Sequence, residues 1–397
     1  MVESMPPSWL LLQLGDAVTF SRGIDLPVQD RSDGIYPVIG SNGVVGHHSS
    51  MAARGPGVLV GRSGSVGEVA YVEGDYWPLN TTLWVTDFHG NDPRFVSYFL
   101  RFLNLGRFTG GVSVPTLNRN VLHKIEVGLP PVTEQRAIAY VLHTLQKAKE
   151  ARQCELALES ERKAALMEHL FTHGTRGEAT KQSEIGEIPE SWRIVEIETI
   201  AEVGNGSTPS RTDERYWKHG TIPWITSTKV HEVVIRESVE FVTEAARSEC
   251  HLPLVPQQSI VVAITGQGKT LGNAAILEFD TCINQHLAYI RITDETVQPY
   301  FALFYLRSRY QYFRGVSSGG GSTKGALTCG FLKRMKIPVP RRDEQESIAE
   351  LFSACEMKCG CLEKEIGNLD ELFAAALAEL MNGRLDASVL VDGGSNG

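Results

Sequence analysis

Read from its amino terminus, the chain moves between two hydrophobic rhythms, and it does so twice in the same order. Short apolar runs broken by Gly and Pro predict strands: Tyr36-Pro37-Val38-Ile39 and Val58-Leu59-Val60 early, Ile222-Pro223-Trp224-Ile225 and Ile260 to Ile264 later. A glycine loop follows in each half, Gly61 to Gly67 and Thr265 to Gly272, and after it another strand is expected, Leu79 to Leu83 and Ile283 to Leu287. The rhythm then lengthens to threes and fours. Asp92 to Arg101 and Gln298 to Arg307 predict helices opening on Pro93 and Pro299, where the first helical turn tolerates proline. Their regularly spaced aromatics are expected to face a core.

Each half closes on a long helical pattern, expected from Glu134 to Phe171 and from Glu344 to Met381. The second carries an unbroken stripe: Ile348, Phe352, Cys355, Cys359, Leu362, Ile366, Leu369, Phe373, Ala376 and Leu380. The first is patchier, with Ile138, Leu142, Leu145, Leu156, Leu166 and Leu170. About 37 residues at 1.5 Å each make a rod of roughly 55 Å. Neither one-sided stripe can be buried alone, so the two helices are expected to pack on each other. A polar linker, Thr172 to Ser183, separates the halves, and the tail after Arg384 reads as frayed.

The two halves are copies. LPPVTEQRAI (Leu129 to Ile138) returns as VPRRDEQESI (Val339 to Ile348), pairing Pro130 with Pro340, Glu134 with Glu344, Gln135 with Gln345 and Ile138 with Ile348. Pro6-Pro7-Ser8-Trp9 returns as Pro189-Glu190-Ser191-Trp192, and amphipathic stretches follow, Leu10 to Val18 and Arg193 to Val203. The offset grows from 183 at Trp9/Trp192 to 204 at Asn80/Asn284 and 210 at the closing signature, so the second copy carries loop insertions.

Composition narrows the class. With 397 residues, 42% hydrophobic and 21% charged, the chain can bury two or three cores. No apolar run is long enough to span a membrane and the amino terminus is not a signal peptide, so a cytoplasmic location is expected. Seven Cys without a disulfide spacing fit reduced thiols. The net charge of −9 has the wrong sign for a nucleic-acid binder, but it is segregated: residues 339–397 hold five Lys/Arg against twelve Asp/Glu. No acid lies between Asp92 and Glu126, where Arg94, Arg101, Arg107, Arg119 and Lys124 sit. None lies between Glu295 and Asp343, where Arg307, Arg309, Arg314, Lys324, Lys333, Arg334, Lys336, Arg341 and Arg342 sit. Each basic run holds a small polar loop, Gly110 to Thr116 and Ser317 to Lys324, which suits a phosphate backbone; the plainer alternative is a solvated face.

Other chemistry is thinly supported. Gly266-Gln267-Gly268-Lys269-Thr270 imitates the end of a phosphate-binding loop, but Ala263 stands where the full motif needs Gly. Cys355, Cys359 and Cys361 lack a second ligand cluster, so small apolar packing is expected rather than metal. His47-His48 lacks a ligand spacing, and methylase, zinc-protease and serine-hydrolase motifs are missing.

The doubled closing signature, the long helix after it and the opening Gly186-Glu187-Ile188-Pro189-Glu190-Ser191-Trp192 resemble one family over nearly the whole chain: the specificity subunit of type I restriction-modification systems. The resemblance implies an α+β fold with two mixed α/β target-recognition domains, joined by two long antiparallel helices as a coiled-coil spacer in a pseudo-two-fold internal repeat. The division it implies is 1–132 for the first domain, 133–172 for its spacer helix, 173–186 for a linker, 187–340 for the second domain, 341–382 for its helix and 383–397 for the tail. The chain itself would be non-catalytic, without cofactor or metal. Its partners would be double-stranded DNA with a bipartite site, two modification (methyltransferase) subunits and restriction (motor and nuclease) subunits, which bring S-adenosylmethionine, ATP and Mg2+. Amide, hydroxyl and basic side chains suit base edges and phosphates. The DNA-contacting candidates are therefore Ser41, Asn42, Arg62, Ser63, Ser65, Asn80, Ser113, Thr116 and Asn118 in the first reader. In the second they are Thr226, Ser227, Lys229, Gln267, Lys269, Thr270, Asn284, Gln285, Ser322, Thr323 and Lys324. Glu134, Gln135, Ile138, Glu344, Gln345 and Ile348 are expected at the spacer and its subunit contacts, and the acidic last helix is expected to face basic partners. Alternatives are a stand-alone methyltransferase or nuclease, a specificity subunit of a related type IIB/IIG-like methyltransferase-nuclease, or a scaffold that no longer reads DNA.

Overall fold

The computed structural model describes residues 6–109, 115–266, 269–319 and 327–387. The chain divides into two compact units, 1–154 with 364–397 and 155–363. Each unit holds one module, the amino-terminal part of one long helix and the carboxy-terminal part of the other.

In the first unit a four-stranded sheet orders Thr19–Arg22, Thr82–Asp87, Gly57–Gly61 and Val69–Val72. A three-stranded sheet orders Gly43–His48, Tyr36–Gly40 and Trp77–Pro78. The helix Pro93–Phe102 packs its buried aromatics under the larger sheet, capped by Asp92, whose carboxylate accepts the Phe95 N–H at 2.8 Å. The second unit repeats the plan with more strands. Ala201–Asn205, Leu287–Ile292, Ile260–Ala263, Ala274–Leu277 and Val234–Ile235 form one sheet, and Glu240–Val242, Ile222–Ile225 and Cys282–Ile283 the other. The matching helix is Pro299–Ser308, capped by Gln298. In both units a short antiparallel pair joins the start of the module to its end, Leu10↔Leu129 in one and Arg193↔Val339 in the other.

Two expectations change. The segments Leu79 to Leu83 and Ile283 to Leu287 are not single strands. In each, the chain leaves the smaller sheet at Pro78 or Ile283, turns, and joins the larger sheet at Thr82 or Leu287. A straight strand cannot serve two sheets, so the Asn of each segment sits in the turn. Asn80 donates to the Asp25 carboxylate at 2.6 Å, and the Asn284 carbonyl oxygen accepts the His286 N–H at 3.1 Å. The linker is also more ordered than expected: its end, Thr180–Ser183, pairs with Gly186–Pro189 in a hairpin.

The long helices run Val132–His173 and Arg342–Met381. The stripe read from the second follows its burial: Ile348, Phe352, Cys355, Cys359, Leu362 and Leu380 are buried, and the positions between them are half-buried. The two helices pair antiparallel. In the first unit Lys149 meets Asp370 at 2.5 Å and Arg152 meets Glu365 at 3.0 Å; in the second, Lys163 meets Glu356 at 3.0 Å and Lys358 meets Glu159 at 2.7 Å. Mostly exposed pairs of this kind contribute about 0–1 kcal/mol each. Their consistent pairing marks the register more than it sets the stability. Several acids of the last helix thus have cationic partners within the chain.

The repeated Glu-Gln has a repeated job. Trp9 donates its indole N–H to Glu134 at 3.2 Å, and Trp192 donates to Glu344 at 3.2 Å. Gln135 donates to the Pro130 carbonyl at 2.9 Å and accepts the Asp92 N–H at 3.0 Å; Gln345 donates to the Pro340 carbonyl at 2.9 Å and accepts the Gln298 N–H at 2.8 Å. Burial pushes the Glu134 carboxyl above the usual carboxylate range, and the Trp9 indole works against that shift. Each Trp also touches the far end of the other helix. Gly174, one residue past the first helix, lies against Pro189 and Trp192; Gly383, just past the second, lies against Pro6 and Trp9. Both glycines hold φ near +65°. Glu344, Gln345, Gln135, Ile138 and Ile348 are buried, so the expected subunit contacts at these positions are corrected: the side chains are used inside the chain, fastening module to helix.

Three outcomes are expected. Gln345→Leu orphans the Pro340 carbonyl and the Gln298 N–H, so urea unfolding should show a loss of about 1–3 kcal/mol at unchanged slope. Gly383→Ala places a Cβ 2.3 Å from Pro6 Cγ in a left-handed backbone, and calorimetry should show destabilisation of at least about 1–2 kcal/mol, with Gly174→Ala behaving alike. Asn80→Asp sets a carboxylate against Asp25. The pair raises one folded-state carboxyl above its unfolded value, so the penalty is full at pH 7 and fades as pH falls towards about 4. A melting-temperature deficit that stays constant over that range would refute the contact.

Candidate nucleic-acid interface

In the first unit the glycine loop, the sheet-crossing turn and the segment before Asn118 are laced by backbone bonds. The Arg62 and Ser63 N–H groups both donate to the Thr81 carbonyl, at 2.8 and 3.2 Å, and the Leu117 N–H donates to the Arg62 carbonyl at 3.0 Å. Beside them lies a cleft of about 380 Å³ lined by Ser41, Asn42, Gly61, Ser65, Glu68 and Thr82, among others. The Asn42 carbonyl oxygen accepts from Ser65 at 2.6 Å and from Ser41 at 3.4 Å. The structure thus brings together Ser41, Asn42, Arg62, Ser63 and Ser65, and places Thr116 on the neighbouring segment. Among the described residues no carboxylate pairs with Arg62. Two candidates are reassigned: Asn80 holds Asp25, and Asn118 caps the short helix Arg119–Leu122 by accepting the Asn120 N–H at 2.9 Å. Ser113 lies outside the described residues.

The second unit repeats the lacing, with the Leu327 N–H donating to the Ile264 carbonyl at 2.8 Å. Its polar rim differs. Gln285 accepts from Thr208 and donates to His286 Nε2 at 3.3 Å, while His286 Nδ1 bonds Thr265. His231 bonds Thr270 at 3.2 Å. Lys269 is exposed, and its carbonyl accepts from the Tyr310 hydroxyl at 3.0 Å and from Asn273 at 2.6 Å. Thr226 bonds Thr228 at 2.7 Å, next to Ser227 at the start of a single helical turn. Two candidates are corrected here. Lys229 is spent on Glu232 at 2.7 Å, and Asn284 is buried, shaping the turn that presents Gln285. Gln267, Ser322, Thr323 and Lys324 lie outside the described residues.

Sequence reasoning missed Glu68, Thr208, His231, Thr265 and His286. Thr208 sits 77 positions before Gln285, where no local pattern links them. His286 could have been found, because it occupies the same crossing turn as Gln285.

The acid-free basic runs do not remain acid-free in space. Arg94 pairs with Glu73 at 2.8 Å, donates to His143 and lies over the Tyr71 ring at 4.6 Å. Burial, then the Arg94 and Lys147 charges, hold His143 below the usual imidazole range. Arg307 is half-buried, donates to the Ala274 carbonyl at 2.6 Å and stands 4.0 Å from Glu356. Lys336 pairs with Glu184 at 2.6 Å, and Arg342 with Glu346 at 2.8 Å. A run of sequence cannot show which distant acids the fold returns to it. Cys355 and Cys359 lie in the helix seam, and burial pushes the Cys359 thiol up. No group of metal-ligating side chains occurs among the described residues.

Comparison with known proteins agrees with this architecture. The family model of the type I restriction modification DNA specificity domain matches residues 7–158 and again 189–369. The MjaVIII type I restriction enzyme specificity subunit of Methanocaldococcus jannaschii is 21% identical over 96% of this chain and 94% of its own length. The MjaIX specificity subunit of the same organism is 34% identical over 44% of this chain and 40% of its own length. Among solved structures, the type I restriction-modification S subunit of M. genitalium shares the fold, with a TM-score of 0.67 and 15% identity over 96% of this chain and 97% of that one. Two copies of that domain, each closed by a long helix that pairs with the other, show that the chain belongs to the type I restriction-modification DNA specificity family, as a specificity subunit with two target-recognition domains.

Proposed function

We propose that each module reads one half of a bipartite double-stranded DNA site, and that the paired helices fix the gap between the halves and dock two modification subunits. One observation carries this reading. The two modules share the same Trp–Glu and Gln fastening to the helices, yet their polar rims differ in chemistry: Ser41, Asn42 and Ser65 in one, Thr208, Gln285 and His286 in the other. Copies that keep the mount and change the face suit two unlike half-sites on one mount.

The chemistry would then lie elsewhere in the complex. The modification subunits would bring S-adenosylmethionine and methylate adenine, and the restriction subunits would use ATP and Mg2+ to move and cut DNA. This chain would supply position alone. No helix among the described residues is long and apolar enough to cross a membrane, and the proposed place of action is the cytoplasm, where the DNA lies.

The helix pairing dictates how the gap can be lengthened. Lengthening one helix alone would break a register marked at Lys149–Asp370 and at Lys163–Glu356. Seven residues added to both helices, after Cys154 and after Glu363, would keep the seam in phase. The addition is roughly 10 Å of helix, or about three base pairs. Methylome sequencing of cells carrying the full system should show a bipartite methylated motif that disappears when this gene is deleted. With the paired insertion the gap should lengthen while both half-sites keep their bases. A motif independent of this gene refutes the assignment, and altered half-site bases refute the role of the helices.

A further inference from the structure

We infer that Gln285 is a base-reading residue of the second module and that its target is adenine, presented in the major groove. This deepens the DNA-reading role proposed above and depends on it. The side chain stands exposed in the crossing turn, and a directed chain of hydrogen bonds holds it there. Thr208 donates to Gln285 Oε1. Gln285 Nε2 can only donate, so His286 Nε2, 3.3 Å away, accepts. His286 then carries its proton on Nδ1 and donates to Thr265 Oγ1.

Each group along this chain is half used. Gln285 Oε1 keeps one lone pair and Nε2 keeps one N–H. Adenine offers the complement in the major groove, an N6–H donor beside the N7 acceptor. Guanine offers two acceptors there, so its O6 would face the amide oxygen. Turning the amide over does not accommodate it, because the amide oxygen then faces N7, a second acceptor.

The support behind the chain is rigid. Thr208 lies in a segment pinned at both sides by indoles: Trp224 donates to the Ser207 carbonyl at 3.2 Å and Trp217 to the Ser210 carbonyl at 2.9 Å. The two indoles meet edge to face at 5.2 Å, and Arg211 covers Trp217 at 3.9 Å. Below the turn, the Asn284 N–H donates to the Ile225 carbonyl at 3.0 Å. Exposed amides ordinarily rotate freely, whereas this one is held at both its oxygen and its nitrogen, and that costs less entropy on binding. The first module carries Thr81 at the equivalent place, its hydroxyl accepting the Ser41 N–H at 3.3 Å, so the amide belongs to the second half-site alone. Thr208, Thr265 and His286 are positioning residues on this view.

The test uses the full chain assembled with its modification subunits, the methylated motif of the wild type, and duplexes carrying each of the four base pairs at every half-site position. The variants are Gln285→Ala, Gln285→Met and the positioning change Thr208→Val, each first shown to melt like wild type. Gln285→Ala and Gln285→Met should lose discrimination of on the order of ten- to one-hundred-fold at a single A·T pair in one half-site, leaving every other position read as before. Thr208→Val should weaken discrimination at that same pair to a lesser degree. Relaxation at a G·C pair overturns the adenine assignment. Unchanged discrimination everywhere, or a uniform loss of affinity over all sequences as expected for a phosphate contact, overturns the base-reading role. In each of these cases a wild-type bipartite motif leaves the proposed function standing, whereas a wild-type complex without sequence preference removes both.

Discussion

Everything else in this molecule hangs from two tryptophans. Trp9 and Trp192 each take the amino-terminal Glu of one long helix by the indole N–H and lie against the glycine cap of the other helix. One aromatic ring thereby fixes where a module begins, where one helix starts and where the other stops. The buried Gln of each closing signature completes the joint by bonding the strand end before its own helix and the start of the module's aromatic helix. Hydrogen bonds of this kind contribute about 1 kcal/mol net, but leaving their buried partners unmade costs more. The joint therefore tolerates little variation, while the loops at the other end of each module need obey no such constraint.

That division explains what the sequence could show. Trp9, Glu134, Gln135 and their counterparts were legible because one geometry imposes one set of residues twice. The stripe from Ile348 to Leu380 was legible because burial on a helix has a period. The crossing turns were misread as strands: Leu79 to Leu83 and Ile283 to Leu287 are apolar enough for a strand, and nothing in composition marks the point where a chain changes sheets. The reading rim was half legible. Gln285 and Lys269 could be named from type and position, but Thr208 comes from a segment 77 residues away, and Lys229 is taken by Glu232 in the fold.

Charge was the least reliable guide. Acid-free runs pointed to a basic surface, yet Arg94, Arg307 and Lys336 meet Glu73, Glu356 and Glu184 once the chain is folded. An ion pair depends on distance in space, and segregation along a sequence predicts it poorly. Among the described residues the polar rims carry few unpaired charges in either module. Discrimination there would come from directed hydrogen bonds, with electrostatic attraction a smaller share.

The two compact units differ in one respect that matters during synthesis. Residues 155–363 form one continuous stretch, whereas the first module completes its core with Phe373, Leu380 and Met381 from the far end of the chain. The module that leaves the ribosome first is therefore finished last. At about 5–20 residues per second, its hydrophobic floor waits roughly ten to fifty seconds for the helix that covers it. In that interval the apolar face of the first helix is uncovered, and Leu142 and its neighbours are open to wrong partners. A nascent chain arranged this way gains from early binding by another subunit or a chaperone, and its yield will follow the speed of translation between the two helices.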